Sequence, residues 1–426
     1  MTTKPIATPL AVDASSGWRI RGYQIAWGLA LCFYFLEYAT RSAPAVMIDH
    51  LATAFGTSAI GVSAILGTYY YTYSTTSLIA GAALDRVGAK KAVPVGLFIL
   101  ALGCLLFAIP AAGAGYAGRL LQGAGSAFAF TGAVYLASHG FSARWLATAI
   151  GVTQCLGMLG GSAGQSVVGP WLERGVAWQS IWHWLGIACL VVGVLLFLIT
   201  PSEIRPQTAS RSGWASVLRP YSIVFRNPQS YLCGIVAGLL FVPTTIGDMT
   251  WGVAFFQRDR MFSYHDAVLM GSLVPLGWVI GCPLLGWLAD FVGRRKPVLI
   301  GGAVVMLLSA AGITLSTSYE AAAIGCLLFG IASGAAMIPY TIVKEVNPDE
   351  VKGSATGGIN FLTFGVTALI GPIFAGLLGK GFSTTQNHLA HFRASGIFWM
   401  TSIVLAIMLS MFLRETGHAR KSAEAA

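Results

Sequence analysis

Glu37 and Arg41 stand four residues apart in a segment that is otherwise apolar and aromatic, from Cys32-Phe33-Tyr34-Phe35-Leu36 into Tyr38-Ala39. In a helix that spacing puts both on one face, where they can pair. An ionisable side chain inside a membrane is costly and normally faces a partner or an aqueous cavity. Arg41 has the chemistry to hold a carboxylate or a phosphate, and Glu37 to carry a proton or to neutralise the empty site. A structural ion pair near the outer end of the helix is the plain alternative. Arg119 lies early in a second apolar run, and its counterpart by glycine alignment in the other half of the chain is Cys326. A charge kept on one side only points to relaying protonation or holding an anion, against an arginine that snorkels to the outer interface. Asp248, between Thr244-Thr245 and Trp251, has no cation within a helical turn. A carboxyl so placed suits a proton carrier, or accepts hydrogen bonds from the neighbouring threonines.

Around these charges, Tyr34, Tyr38, Tyr70, Tyr73, Gln154, Gln165, Trp251, Trp278, Tyr340 and Asn360 are candidates for the wall of a cavity. Small-molecule sites are mostly apolar with a few placed polar groups, although each of these side chains also reads as interfacial packing. The amides of Gln154, Gln165 and Asn360 are the stronger candidates, because a buried amide needs a partner. Gly157 and Gly161, like Gly160 and Gly164, have the spacing that lets helices approach closely.

The elements that position these residues come from a chain written twice. Gly81-Ala82-Ala83-Leu84-Asp85-Arg86-Val87-Gly88-Ala89-Lys90-Lys91 recurs as Gly286-Trp287-Leu288-Ala289-Asp290-Phe291-Val292-Gly293-Arg294-Arg295-Lys296. Each copy sets an acid, a tight glycine turn and a cationic cluster where one apolar segment ends and the next begins. Asp85 and Asp290 are expected to cap a neighbouring helix N-terminus, where orphan amides favour an anion. Arg86, Lys90 and Lys91, and likewise Arg294, Arg295 and Lys296, can pair with acids or lipid headgroups. Contacts of that kind exist only while the cytoplasmic ends of two bundles lie together, so they bias an outward-open state. Phe291, standing where the first copy has Arg86, predicts unequal gates. The plain reading is a positive-inside anchor with tight turns at Gly88 and Gly293.

Only 10% of the 426 residues are charged and 55% are hydrophobic, whereas about a quarter of an ordinary soluble chain is charged. Twelve apolar segments of spanning length follow, with cores near 22–48, 58–84, 92–110, 112–138, 145–169, 181–199, 230–256, 265–289, 297–316, 320–343, 353–378 and 395–413. The fold expected is an all-α polytopic membrane protein, twelve transmembrane helices in two six-helix pseudo-symmetric bundles. The units are a cytoplasmic tail 1–21, a bundle 22–200, a cytoplasmic linker 201–228, a bundle 229–413 and a tail 414–426. An N-terminus inside places Arg144, the linker arginines 205, 211, 219 and 226, both motif copies, Arg414, Arg420 and Lys421 in the cytoplasm. The other side keeps Arg174, Arg258, Arg260, Lys380 and Arg393, so the positive-inside bias puts both termini in the cytoplasm. The first apolar run outlasts a signal-peptide core and reads as a retained span.

The net charge of +10 sits in short loops between apolar runs, which fits membrane orientation and not nucleic acid. The seven cysteines are scattered singly without disulfide or metal-ligand spacing, and the histidines fall mostly in loops without a carboxylate or cysteine array. A phosphate-cradling Gly-Lys-Ser/Thr loop and an extramembrane catalytic domain are both missing. No cofactor, no metal and no enzymatic activity are therefore expected.

The doubled motif resembles the cytoplasmic signature of the major facilitator superfamily, Gly-x-x-x-Asp-Arg-x-Gly-Arg-(Arg/Lys), with Ala89 and Phe291 as the departures. Arg119-Leu-Leu-Gln122-Gly123-Ala-Gly125 is similar to the family's fourth-span signature, and Gly169-Pro170 is paired with Gly371-Pro372. At finer grain Phe35-Leu36-Glu37-Tyr38 through Arg41 and Pro44, then Tyr69-Tyr70-Tyr71, resemble the proteobacterial phagosomal nutrient transporter group. The resemblance covers essentially the whole chain. It implies a monomeric secondary transporter of the bacterial inner membrane, working by alternating access with the site between the halves near the midplane. The expected partners are a small polar or anionic organic solute, imported with protons, and membrane lipids. Glu37, Arg41, Arg119, Asp248, Gln154, Trp251, Tyr38, Tyr70, Tyr340 and Asn360 are the expected binding or coupling residues. Asp85, Arg86, Gly88, Lys90, Asp290, Gly293, Arg294 and Arg295 form the expected cytoplasmic gate. A proton-antiport exporter of drugs or siderophore-like compounds, and a transporter-like membrane sensor without flux, are the alternatives.

Overall fold

The structure is a computed structural model that describes residues 14–202, 214–316, 318–382 and 388–417. Within those ranges the side chains of Asp85, Arg144 and Lys380 fall outside the description, as do residues Arg205, Arg211, Arg420 and Lys421 altogether. The described residues contain helices and turns and no strand. α1 (Ala14–Ser42) stops where Pro44 enters a 3-10 turn, Ala43–Val46, and α2 (Ile48–Phe55) is short. α3 (Ala59–Val87), α4 (Ala89–Phe107), α5 (Ala112–Gly140) and α6 (Ala143–Ser166) follow, then the short α7 (Val168–Glu173) and α8 (Trp178–Ile199). After α9 (Trp214–Arg226) comes α10 (Pro228–Val242), continued through a π-helical turn, Pro243–Asp248, into α11 (Gly252–Arg258). α12 (Tyr264–Val292) and α13 (Lys296–Leu315) precede α14 (Tyr319–Ser333) and α15 (Ile338–Glu345), which a 3-10 turn, Gly334–Met337, joins. α16 (Lys352–Phe382) and α17 (His388–Ser410) complete the run.

The duplication read in the motif extends over whole helices. α3 and α12 are both 29 residues long, and both ends are displaced by 205 positions (59 to 264, 87 to 292). The caps match as well. Ser58 Oγ accepts from the Gly61 amide at 3.2 Å, and Ser263 Oγ from the Asp266 amide at 3.1 Å. A serine oxygen there satisfies an amide that the first helical turn leaves without a partner. Gly88 at φ 80° and Gly293 at φ 70° close the two helices, in a region that residues with a Cβ rarely adopt.

Nine helices among the described residues are long and apolar enough to cross a membrane. Ile48–Phe55 with Ala59–Leu84, bent by 98°, makes a tenth candidate. α1 and α6, at 29 and 24 residues, have the length without the apolar content. α1 carries Glu37 and Arg41, and α6 is rich in glycine, serine, threonine and glutamine. A span that lines an interior can be this polar, because its polar side chains do not face lipid. By contrast Trp184, Ile187, Val191, Val194 and Leu198, spaced three and four apart along α8, are all exposed, an apolar stripe of the kind that faces lipid.

Packing falls mainly within two sets of helices. α1 packs on α5, α6 and α8, and α4 on α5 and α8; later in the chain α10 packs on α16 and α17, α12 on α14, and α13 on α14 and α17. The sets meet along α3 with α16 and α6 with α12. α9 lies in what the composition marked as a hydrophilic linker, yet Tyr221 and Val224 on one face of it are buried. The Tyr221 hydroxyl donates to the Leu78 carbonyl at 3.0 Å, and a Cβ on Gly357 would stand 2.9 Å from the Tyr221 hydroxyl oxygen. The linker thus touches both halves.

Candidate functional site

The site is set by a close approach of two backbones. A Cβ on Gly123 would stand 2.1 Å from the Tyr69 carbonyl oxygen, so α5 lies directly on α3 at that residue. Gly330 makes the equivalent approach to the Val274 carbonyl in the second half, also 2.1 Å. Only glycine permits this contact, and in the first half it brings Tyr69 between α1 and α5.

Glu37, Arg41 and Arg119 are all buried, at 0%, 2% and 1% exposure, so no bulk water screens them. Arg41 Nη2 donates to Glu37 Oε1, and the Tyr69 hydroxyl donates to the same oxygen. The Tyr69 oxygen in turn accepts from Arg41 Nε and Nη2 at 3.3 and 3.1 Å. The guanidinium carbon of Arg41 lies 4.3 Å from the Tyr38 ring centroid, 4.9 Å from Tyr73 and 5.2 Å from Phe364, which comes from α16. Arg41 therefore stands where the two halves meet.

Arg119 also lies against Tyr69, its guanidinium carbon 4.8 Å from the ring centroid. It donates to the Thr40 carbonyl at 3.2 Å, to Gln122 Oε1 at 2.7 Å and to the Leu66 carbonyl at 3.5 Å. It does not snorkel: carbonyls of α1 and of α3 hold it in the interior. Three atoms of the group have no hydrogen-bond partner, Glu37 Oε2, Arg41 Nη1 and Arg119 Nε. A buried polar atom without a partner costs about 1–3 kcal/mol, more when it is charged. This group can therefore take up a further acceptor at Arg41 and a further proton at Glu37.

The structure brings several other expected residues to this group. Tyr34 donates to Gln154 Oε1 at 3.2 Å, and its ring stands edge-on to Tyr38 at 5.1 Å. Tyr70 donates across the halves to the Thr245 carbonyl at 3.3 Å, and Tyr340 donates to Asn360 Oδ1 at 2.7 Å. Gln165 is buried against Gly271 of α12 with neither amide atom bonded. Trp278 donates to the Thr244 hydroxyl at 3.1 Å and so reads as packing within the second half. Asp248 and Trp251 lie elsewhere. Asp248 borders a cavity among the π turn and α11, α12, α13, α14 and α17, and Trp251 stacks on Phe255. Tyr69 and Gln122 carry the network, although in the sequence they stood only within the motifs Tyr69-Tyr70-Tyr71 and Arg119-Leu-Leu-Gln122 and not among the candidate site residues. A further signal for Tyr69 is its spacing of four from Tyr73, on which its ring stacks at 5.7 Å.

The second motif copy requires a correction. Asp290 was expected to cap a neighbouring helix and to bind across the halves, but its described partner is Arg295, five residues on, with Nη1 to Oδ1 at 2.5 Å. Arg295 Nη2 also reaches Glu345 Oε1 at 3.0 Å, and Arg294 Nε lies 3.5 Å from Glu415 Oε2. All of these groups belong to the second half. The carboxylate that caps α13 is Glu415, whose Oε1 accepts from the Arg295 and Lys296 amides at 2.8 and 3.2 Å. The reason is proximity: the Gly293 turn folds Arg295 back to Asp290, and the chain after α17 passes the α13 N-terminus. In the first copy Arg86 is exposed and Lys90 Nζ lies 5.9 Å from the Phe197 ring centroid.

Contacts join the halves at both ends of the central group. Tyr264 donates to the Val46 carbonyl at 2.6 Å and Arg258 pairs with Asp49 at one end; Ser74 donates to the Phe361 carbonyl at 2.7 Å towards the other. No group of three or more His, Cys, Asp or Glu side chains that could hold a metal ion occurs among the described residues.

Comparison with known proteins agrees with this architecture. A D-galactonate transporter of Escherichia coli O6:H1 is 21% identical over 87% of this chain and 92% of its own length. A probable galactarate/D-glucarate transporter, GudP, of Bacillus subtilis strain 168 is 22% identical over 87% and 89%. The solved structure of a bacterial homologue of the human lysosomal transporter Spinster, inward-facing and unoccupied, superposes with a TM-score of 0.71 at 14% identity, covering 92% of this chain and 97% of that one. The family model described as Major Facilitator Superfamily matches residues 30–357 and 237–426. The chain is a multi-pass membrane protein and belongs to the Major Facilitator Superfamily.

Proposed function

We propose that the chain is a secondary active transporter that imports a small organic anion together with a proton, Arg41 holding the anion and Glu37 the proton. The observation that carries this reading is the buried Glu37–Arg41 pair, which keeps one unpartnered oxygen and one unpartnered nitrogen. In the empty site the carboxylate of Glu37 occupies Arg41. A proton on Glu37 removes that charge and frees the guanidinium for the carboxylate of a solute, whose planar geometry it matches. Arg119 adds a second fixed positive charge beside Tyr69. Asp248 takes no part in this exchange, since the helices around it carry none of the anion-binding groups.

The full-length relatives named for D-galactonate and for galactarate and D-glucarate favour a sugar-acid anion as the solute. The proposed machine has twelve spans in two six-helix bundles, 22–200 and 229–413, that rock about α3–α16 and α6–α12, with both termini in the cytoplasm of a bacterial inner membrane. Asp85 with its cations steadies the cytoplasmic ends, while Asp290 holds Arg295 within the second half.

The test is flux in proteoliposomes holding purified protein, with an inside-alkaline pH gradient and a panel of D-galactonate, galactarate and a neutral amino acid. D-galactonate accumulates above its outside concentration only while the gradient lasts, and Arg41→Ala abolishes its uptake. Accumulation of the amino acid alone, or undiminished uptake by Arg41→Ala, would overturn the reading.

A further inference from the structure

We infer that the second half carries a separate site for a small organic cation, an ammonium group bearing methyl or similar apolar substituents. It is built on Asp248. Asp248 is 7% exposed, its Oδ2 has no partner, and the residue borders a cavity of about 90 Å³. The lining also includes Ser395, itself 4% exposed with an unpartnered Oγ, and the aromatic side chains Phe255, Phe256, Phe329 and Trp399. The backbone is irregular at the same place: the Met249 amide bonds to the Thr244 carbonyl and the Trp251 amide to that of Ile246, five residues back in each case. Such π turns inside helices cluster at functional sites, because the extra residue re-aims the side chains after it.

Three occupants can neutralise a carboxylate buried without a protein cation, and the cavity separates them. A proton needs no space, whereas Asp248 borders a volume about three times the ~30 Å³ share of a water molecule. A metal cation needs a shell of several oxygens. The lining supplies side-chain oxygens only from the Asp248 carboxylate and the Ser395 and Thr314 hydroxyls, fewer than such a shell needs. The rest is apolar or aromatic. An alkylated ammonium fits both properties: it is weakly hydrated, pairs with a single carboxylate and is attracted by aromatic rings. The size admits an ammonium with its methyl groups. The first half offers no equivalent, since Arg119 and not Cys326 stands at the matching place there, so this site belongs to the second half alone.

The experiment is a titration of purified full-length protein in nanodiscs with tetramethylammonium chloride, read by calorimetry and by tryptophan fluorescence, with sodium chloride at equal ionic strength. No transported anion is present, so the result stands apart from the anion reading above. Saturable tetramethylammonium binding is expected, at least tenfold weaker in Asp248→Asn and at least threefold weaker in Phe329→Leu. The absence of saturable binding in the unaltered protein overturns the inference. So does sodium competing at equal concentration, which would mark an inorganic-ion site, or unchanged binding by Asp248→Asn. If Asp248→Asn does not yield monodisperse protein, Phe329→Leu decides: weakened binding supports the site and unchanged binding overturns it.

Discussion

Replacing Glu37 by glutamine separates proton coupling from anion binding. The side chain keeps its shape and an oxygen that can still accept from Tyr69 and Arg41, so the local hydrogen bonds survive. What is lost is the charge. Two unit charges about 3 Å apart at an effective dielectric near 20 attract by roughly 5 kcal/mol, and in the unaltered protein an incoming anion must displace that attraction unless Glu37 is protonated. In Glu37→Gln the competition is gone. Anion affinity at pH 8 should therefore rise at least tenfold, which corresponds to about 1.4 kcal/mol and is a small part of the attraction removed. It should also vary less than twofold between pH 6 and 8. The unaltered protein should lose about tenfold in affinity per pH unit once Glu37 is ionised, since one proton accompanies each anion.

Transport should divide in the same way. Counterflow of a labelled sugar-acid anion against unlabelled anion needs no net proton movement, so Glu37→Gln retains it. Accumulation driven by a pH gradient, worth about 1.4 kcal/mol or tenfold per unit, is lost. The variant also leaves Arg41 as a buried charge without its counter-charge, a change that costs about 3–5 kcal/mol when no acceptor remains. A lowered melting temperature that the anion restores is the expected signature. Gradient-driven accumulation by Glu37→Gln, or anion affinity as pH-dependent as before, would refute the reasoning.

Three further outcomes follow from other parts of the structure. Glu415→Ala removes the carboxylate that caps α13 and should destabilise the protein by about 1–2 kcal/mol, read as a lower melting temperature with little change in anion affinity. Gly123→Val puts side-chain atoms where even a Cβ meets the Tyr69 carbonyl at 2.1 Å, whereas Gly113 has open space around it. The first should lose folded protein on size-exclusion chromatography and Gly113→Ala should not, which separates helix approach from helix propensity. Asp49 and Arg258 pair across the halves while 67% and 41% exposed, so the pair itself contributes at most about 1 kcal/mol. Replacing both by cysteine and linking them with a short reducible crosslinker should stop transport, and reduction should restore it.

The repeat was readable because it is written in residues with few structural substitutes. Ser58 and Ser263 cap, Gly88 and Gly293 turn, and Gly123 and Gly330 admit a neighbouring backbone, each at nearly the same spacing. The buried charges were readable for a related reason, since Glu37, Arg41 and Arg119 interrupt apolar runs that tolerate few of them. Tyr69 was not, because residues 69–73 are aromatic or hydroxylated in every direction around the helix. The α5 approach, a long-range fact, decides which of them turns inward. Glu345 and Glu415 were hidden by distance along the chain, 50 and 120 positions from Arg295. Asp248 could be seen as a lone acid, but not the π turn that aims it away from the centre. The arginines of the linker concealed the buried face of α9, which rests on Tyr221 and Val224.

The charge on the first-half group gives the proposed coupling a physical reason. An arginine stays protonated in a protein, so the empty group, with Glu37 ionised beside Arg41 and Arg119, carries a net charge of about one. Adding a proton and a monoanion together leaves that charge as it was. Adding only the proton raises it, and adding only the anion cancels it. Moving the halves past one another changes the solvation of the group, and that change is costly when the charge differs from the one the surroundings are built around. The empty and the doubly loaded carriers are therefore the two forms that cross readily. The same argument separates solutes by charge. A dianion loaded with one proton reproduces the disfavoured cancelled state, so at equal affinity it should move more slowly than a monoanion of the same size. Equal maximal rates for galactonate and galactarate in the same liposomes would remove the charge argument while leaving Arg41 as the anion's anchor.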